Sequence, residues 1–304
     1  MLKRGLLTKA ALVLASAGFK SVESVGSRSS FDIIARRGDT LILIKALANV
    51  EGLSRERAQE LKCISQLVGG IPMVVSERMK TSSLADDVVY DRYGVCVCSV
   101  GTLAEIVNDE APKAYARRGN YCVHVDGGML SAARKRMGMT QESLADRLGV
   151  SKQSVYRYET SSSVSLDIFE RMVDLFGDDF ARSEFKLSFK DGQKSQPEGP
   201  EHKLTSIKKQ VRDEFQGMGF STAFTNAPFD MVAQKKKRVF SVVSNDWRRL
   251  ESKLDVLAGI TDVLDGYTLC ISERRVEGSV SVLTPDELAE ISSSRELFKL
   301  LSQK

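Results

Sequence analysis

The sequence predicts an α/β plus all-α chain, with two copies of one α/β fold and a small helical module between them. Three observations carry this. Residues 129–177 form a run of short amphipathic helices separated by glycines. Residues 1–126 alternate helical stretches with strand-like runs such as Leu41-Ile42-Leu43-Ile44-Lys45, apolar enough for burial on both faces. The order of those runs then returns after residue 202.

Taken in order, Met1 to Ala17 reads as a helix ended by Gly18-Phe19. Lys3 and Arg4 before the apolar stretch to Ala15-Ser16-Ala17 imitate a secretory signal, but Lys9 interrupts that stretch and the later repeat gives it a place in a fold. Val22 to Val25 is a short strand. Phe31 to Ala35 is a second, turned by Arg36-Arg37-Gly38-Asp39 into Leu41 to Lys45. Ser54 to Leu67 is a helix broken by Gly69-Gly70. Strands Ile71 to Val75 and Gly94 to Ser99 follow, then a short helix over Thr102 to Asn108.

The central module has the sharpest pattern. A leading helix carries Leu130, Arg134 and Arg136. Thr140 caps the next, with Glu142 in the opening turn where the helix dipole favours a carboxylate. Leu144, Ala145 and Leu148 make one apolar stripe, and Gly149 ends the helix. Ser151 caps a third helix whose Val155 and Tyr158 turn inward, leaving Lys152, Gln153, Ser154, Tyr156 and Arg157 for the outer face. A trailing helix holds Phe169, Met172 and Leu175.

Ser188 to His202 has linker composition. Beyond it Gly219-Phe220 answers Gly18-Phe19, and Phe229 to Ala233 answers Phe31 to Ala35. Lys235 to Arg238 answers the basic turn, Val239 to Val243 answers Leu41 to Lys45, Ile271 to Arg274 answers Val75 to Arg78, and Glu287 to Ile291 answers Thr102 to Ile106. The expected division is 1–126, 127–187, a linker at 188–202, and 203–304.

Net charge is only +4 over 304 residues, so any polyanion contact must come from a local surface. From Met129 to Glu159 the basic residues are Arg134, Lys135, Arg136, Arg147, Lys152 and Arg157, against Glu142, Asp146 and Glu159, an excess of the right sign. Cys63, Cys96, Cys98, Cys122 and Cys270, odd in number and irregular in spacing, read as reduced thiols in a cytoplasmic protein. A metal site from Cys96, Cys98, Cys122 and His124 is the alternative to small core residues. No stretch is apolar for long enough to span a membrane.

Gln141, Leu144-Ala145, Leu148-Gly149-Val150-Ser151, Val155 and Tyr158-Glu159 resemble the Cro and phage-repressor (Xre) class of helix-turn-helix. The resemblance implies double-stranded DNA as partner, with Gln141 on a phosphate. Lys152 and Gln153 would reach base edges, Arg157 a guanine or phosphate, Ser151 and Ser154 would serve as cap and polar contact, and Tyr156 would lie against the backbone. It also implies a structural ion pair between Arg134 and Glu159. Gly18-Phe19, Phe31-Asp32-Ile33-Ile34-Ala35 and the strand ending in Lys45 resemble archaeal Holliday-junction resolvases and, more broadly, the restriction-endonuclease fold.

The resemblance therefore implies two degenerate restriction-endonuclease-like α/β domains flanking a Cro/phage-repressor-type helix-turn-helix domain. Enzymes of that fold hold a divalent metal with an Asp and an acid two residues before a Lys. Here Asp32 and Lys45 stand, but the acid position is Leu43. In the second copy Asp230 stands, with Ser241 and Val243 at the answering positions. These read as vestigial nuclease positions, with no catalytic residue, metal or cofactor expected. The whole arrangement is similar to a family of archaeal helix-turn-helix transcriptional regulators. The expected function is sequence-specific regulation of transcription, as a homodimer joined through the flanking α/β domains on an inverted-repeat operator. The competing readings are a structure-selective, metal-dependent nuclease and an antitoxin-like, partner-binding autoregulator.

Overall fold

The first lobe begins with α1 (Leu2–Ser16), followed by β1 (Lys20–Glu23), β2 (Ile33–Arg37) and β3 (Thr40–Asn49). This is a computed structural model, and it describes residues 2–24, 29–110, 112, 114–117, 120–160, 163–177, 180, 204–225, 228–244, 256–260, 262–264, 266–273 and 280–302. Helix α2 (Arg55–Val68) starts where Ser54 Oγ accepts from Arg57 N and stops at Gly69, whose φ of 69° suits a residue without a side chain. Then come β4 (Ile71–Met79), β5 (Ser82–Ser83), β6 (Val88–Arg92), β7 (Val95–Cys98), α3 (Val100–Val107), β8 (Ala114–Arg117) and β9 (Asn120–His124).

The helical module comprises α4 (Gly127–Arg136), α5 (Gln141–Leu148), α6 (Lys152–Thr160), the three-residue β10 (Ser163–Ser165) and α7 (Leu166–Phe176). β10 pairs antiparallel with β9, so the module is stitched into the first lobe's sheet, whose order is β1-β2-β3-β4-β7-β6-β8-β9-β10 with β5 on β4. Residues 181–203, which include the expected linker, and the side chains of Cys122 and His124 lie outside the described residues.

The second lobe holds α8 (Ser206–Gly217), β11 (Ser221–Phe224), β12 (Met231–Gln234), β13 (Arg238–Val243), β14 (Tyr267–Ile271), β15 (Ser281–Leu283), α9 (Pro285–Ala289) and α10 (Ser294–Leu301). Its sheet runs β11-β12-β13-β14-β15, with two antiparallel and then two parallel pairings. β1-β2-β3-β4-β7 repeats that scheme strand for strand. Small devices repeat too. Arg37 donates to the Ala17 carbonyl behind α1 and stacks on Phe19, while Lys235 donates to the Met218 carbonyl behind α8 and lies over Phe220. The basic turns thus hold helix ends, where cations are favoured.

Each sheet has an outer and an inner face. On the outer face of the first lobe, Leu6, Ala10 and Leu14 of α1 pack on Ile33, Ile42, Ile44 and Met73; in the second, Val211 and Phe215 of α8 pack on Met231, Val239 and Leu269. The inner faces share one core. Phe31, Ile34, Leu43 and Val74 join Phe229, Val232, Phe240, Val242 and Cys270, with the Phe31 and Phe229 rings 6.2 Å apart. Both rings are fully buried, so each contributes about 1.5–3 kcal/mol of hydrophobic stabilisation. A Cβ on Gly259 would come within 3.2 Å of Val22, another close approach between the lobes.

Strand pairing corrects one equivalence read from the sequence. Asp32 N bonds the Ile44 carbonyl and Asp230 N the Ser241 carbonyl, so Ser241 answers Ile44. Leu43 and Lys45 are therefore answered by Phe240 and Val242, not by Ser241 and Val243. The physical reason is the hairpin. β2 and β3 make five residue pairs around a two-residue turn, whereas β12 and β13 make four around a three-residue turn, so the second hairpin is one residue shorter from Asp to the matching strand position.

Candidate nucleic-acid interface

The helices of the central module are placed by local chemistry. Thr140 Oγ1 accepts from Ser143 N, and Gly149 ends α5 at φ 68°. Ser151 Oγ accepts from Ser154 N at 3.1 Å and lies 2.9 Å from Ser154 Oγ, so both serines are engaged at the start of α6. Val155 and Tyr158 are buried with Leu144, Ala145 and Leu148. Burial of that stripe decides what α6 shows outward. Lys152, Gln153, Tyr156 and Arg157 are exposed, Tyr156 by 59%, and they share one face at helical spacing. The guanidinium of Arg157 rests 5.9 Å from the Tyr158 ring centroid. Lys135, Arg136 and Arg147 are exposed on the neighbouring helices.

Behind that face sits a nearly buried charge network. Arg134 Nε donates to Glu159 Oε1 at 2.6 Å, and Arg134 Nη2 donates to Oε2 at 3.1 Å, a two-pronged pair. Arg134 also donates to the Met139 carbonyl, fixing the joint between α4 and α5. Burial works to raise the Glu159 pKa, but the hydrogen bonds from Arg134 and Gln141 and the Arg134 charge outweigh it and hold the carboxyl below its usual value. The hydrogen bond that Arg134 donates to Glu159 leads in raising the Arg134 pKa. Gln141 Nε2 donates to Glu159 Oε2 at 2.7 Å, so one amide hydrogen is committed inside the motif. Gly127 completes the packing, because a Cβ there would lie 2.2 Å from the Glu159 carbonyl oxygen.

At the other sequence-predicted site, Asp32 is almost fully buried. Its Oδ1 accepts from Lys3 Nζ at 2.9 Å and Lys45 Nζ at 3.2 Å, and its Oδ2 accepts from Ala46 N at 2.9 Å. Burial pushes the Lys45 ammonium pKa down, and Asp32 opposes that. Leu43 is buried in the shared core and offers no ligand. In the second lobe Asp230 accepts from Lys208 Nζ and from Val243 N, both at 3.0 Å, while Ser241 is fully buried. The donor set around Asp32 is one carboxylate already bonded by two ammonium groups, which does not fit a divalent cation that needs several oxygens. Among the described residues, no group of three His, Cys, Asp or Glu side chains is placed to hold a metal. Lys3 and Lys208 were not legible as partners, since a lysine early in a helix carries no signal of its own.

Residues 130–178 match a helix-turn-helix family model, and residues 3–112 match that of the PD-(D/E)XK superfamily domain. A protein of Archaeoglobus fulgidus named "Putative HTH-type transcriptional regulatory protein" is 32% identical over 281 residues, covering 90% of this chain and 89% of its own. The chain belongs to that family. Members from Methanocaldococcus jannaschii and Pyrococcus furiosus carry the same designation. The first is 28% identical over 282 residues, covering 90% of this chain and 88% of its own; the second is 28% identical over 313 residues, covering 99% and 98%. No solved structure matches. These alignments extend over nearly the full length of the chain, the second lobe included. Among the described residues no helix is long and apolar enough to cross a membrane.

Proposed function

We propose that the chain is a sequence-specific, DNA-binding transcriptional regulator that lays α6 in a major groove. The observation that carries this is the exposed set Lys152, Gln153, Tyr156 and Arg157 on one face of a helix held by buried Val155 and Tyr158. Lys152 and Arg157 suit guanine O6 and N7, and Gln153 suits adenine N6 and N7. The second amide hydrogen of Gln141, Ser151, Ser154 and Tyr156 supply backbone contacts that set register. Each good two-pronged base contact gives about 1–3 kcal/mol of discrimination, so one module of this size reads too little alone. A homodimer on an inverted repeat supplies a second reader about one helical turn away. The inner faces of the α/β lobes pack on each other within the chain, so dimerisation through those lobes would use their outer helices or edges.

Replacing Lys152, Gln153 and Arg157 together with Ala tests the reading. The variant is expected to keep its unfolding midpoint and lose retention of duplexes that the native chain selects from a random library. Unchanged retention would sink the proposal. The superfamily match over residues 3–112 keeps a nuclease reading in view. Magnesium- or manganese-dependent cleavage of branched DNA, lost in Asp32→Ala, would establish it against the donor set described above.

A further inference from the structure

One charged side chain on the reading surface has no part in the scheme above. Glu142 projects from the first turn of α5, and its Oε2 lies 3.8 Å from Lys152 Nζ at the first turn of α6. Both side chains are open to solvent, 73% and 63% exposed, and a pair so exposed does little for the stability of a fold. Glu142 is already well placed by the dipole of α5, so the helix does not require Lys152 beside it. What the contact does is put a carboxylate on the face that meets DNA, where every phosphate repels it.

We infer that Glu142 is a specificity-determining residue of the reader, acting with Lys152 as a joined acceptor and donor that fits a G·C pair in the major groove. This rests on the reading of α6 as the base-contacting helix. In the major groove a G·C pair shows guanine O6 and N7 as acceptors beside the cytosine N4 amino donor. An ammonium and a carboxylate in contact match that edge, the lysine on guanine and the glutamate on cytosine. On any other sequence Lys152 turns to a phosphate and leaves Glu142 facing negative charge without a donor. The acid thus weakens non-cognate binding more than cognate binding, which is discrimination by repulsion.

The test uses the full chain and two duplexes, one selected from a random library by the native protein and one scrambled from it with the same composition. Glu142→Gln is expected to tighten binding to the scrambled duplex by about fivefold, the equivalent of ~1 kcal/mol, and to change binding to the selected duplex by less than about twofold. Its own library selection should lose the preference for G·C at one position. In a Lys152→Met background the same change should shift the ratio of the two affinities by clearly less, because the acid then lacks the ammonium that joins it to the guanine and keeps only the cytosine amino donor. Equal tightening on both duplexes, no tightening on either, or an unchanged ratio shift in the Lys152→Met background overturns the inference. A native chain that enriches no sequence at all removes the base-reading function itself, and this inference with it. Enrichment with Glu142 inert removes only the inference.

Discussion

Phe31 and Phe229 hold the same place in the two α/β copies, and they meet each other across the join with ring centroids 6.2 Å apart. A residue touching its own counterpart is the mark of an approximately two-fold contact, here between halves of one chain. Either ring cut back to Ala leaves a cavity in the core that both lobes share. Phe31→Ala and Phe229→Ala are each expected to cost about 3–5 kcal/mol, with the double variant costing less than the sum. Denaturant unfolding of the three variants measures this, and additive losses would separate the lobes energetically.

The Arg134–Glu159 pair lies nearly buried behind the exposed face of α6, with side-chain exposures of 9% and 7%. Removing one partner strands the other, so Arg134→Met is expected to cost about 3–5 kcal/mol, and Arg134→Met with Glu159→Leu distinctly less. The fold holds the Glu159 carboxyl below its usual value of 4.5, so on acidification the unfolded chain takes up this proton first. The stabilisation is therefore complete above that value and lost as pH falls through the folded one. Urea midpoints of the native chain and Glu159→Gln, followed into acid, should converge; a gap that stays constant would refute the linkage.

Gly127 faces a backbone oxygen, not a yielding side chain, so even a methyl group forces α4 away from α6. Gly127→Ala is expected to destabilise the central module by roughly 2 kcal/mol or more, within the range for overpacking. Hydrogen exchange should report it as faster opening of α4 and α6 amides while β3 and β4 keep their protection.

The two ammonium groups on Asp32 differ in exposure, and that difference decides their weight. Lys3 is 41% exposed and Lys45 8%. Lys3→Met is expected to change stability by less than about 1 kcal/mol. Asp32→Ala, which leaves the Lys45 ammonium buried with the Ser29 carbonyl as its remaining hydrogen-bond acceptor among the described contacts, should cost about 3–5 kcal/mol. Comparable losses in the two variants, by calorimetry, would contradict this account of the site.

Much of this architecture could be read from residue patterns because the patterns were local. Thr140, the Leu144 to Leu148 stripe, Gly149 and Ser151 each declare a cap, a buried face or a stop within a few residues. The duplicated α/β order was legible for the same reason, since Phe-Asp and Gly-Phe recur beside strands. What escaped was set by pairing at a distance. Val88-Val89-Tyr90 is too short a run, between Asp87 and Asp91, to announce β6, and Ser163-Val164-Ser165 becomes a strand only because β9 lies alongside. The register of Ser241 turned on a single residue of hairpin length. The hydrogen bond from Gln141 to Glu159 depended on two side chains eighteen positions apart being brought together.

That short pairing of β10 with β9 has a mechanical meaning. After α6 the chain runs into β10, which pairs into the sheet of the first lobe with Ser163 opposite His124, and α4 departs from that same end of β9. The helical module thus meets the first lobe at two junctions side by side on β9. On the proposed function, duplex gripped by α6 would be held at a set angle to the α/β body, and a second α6 brought in by a partner chain would inherit the same pose. Sliding one recognition sequence half a turn around the duplex relative to the other would then point it away from its helix, so a dimer of this kind would gauge helical phase as well as sequence.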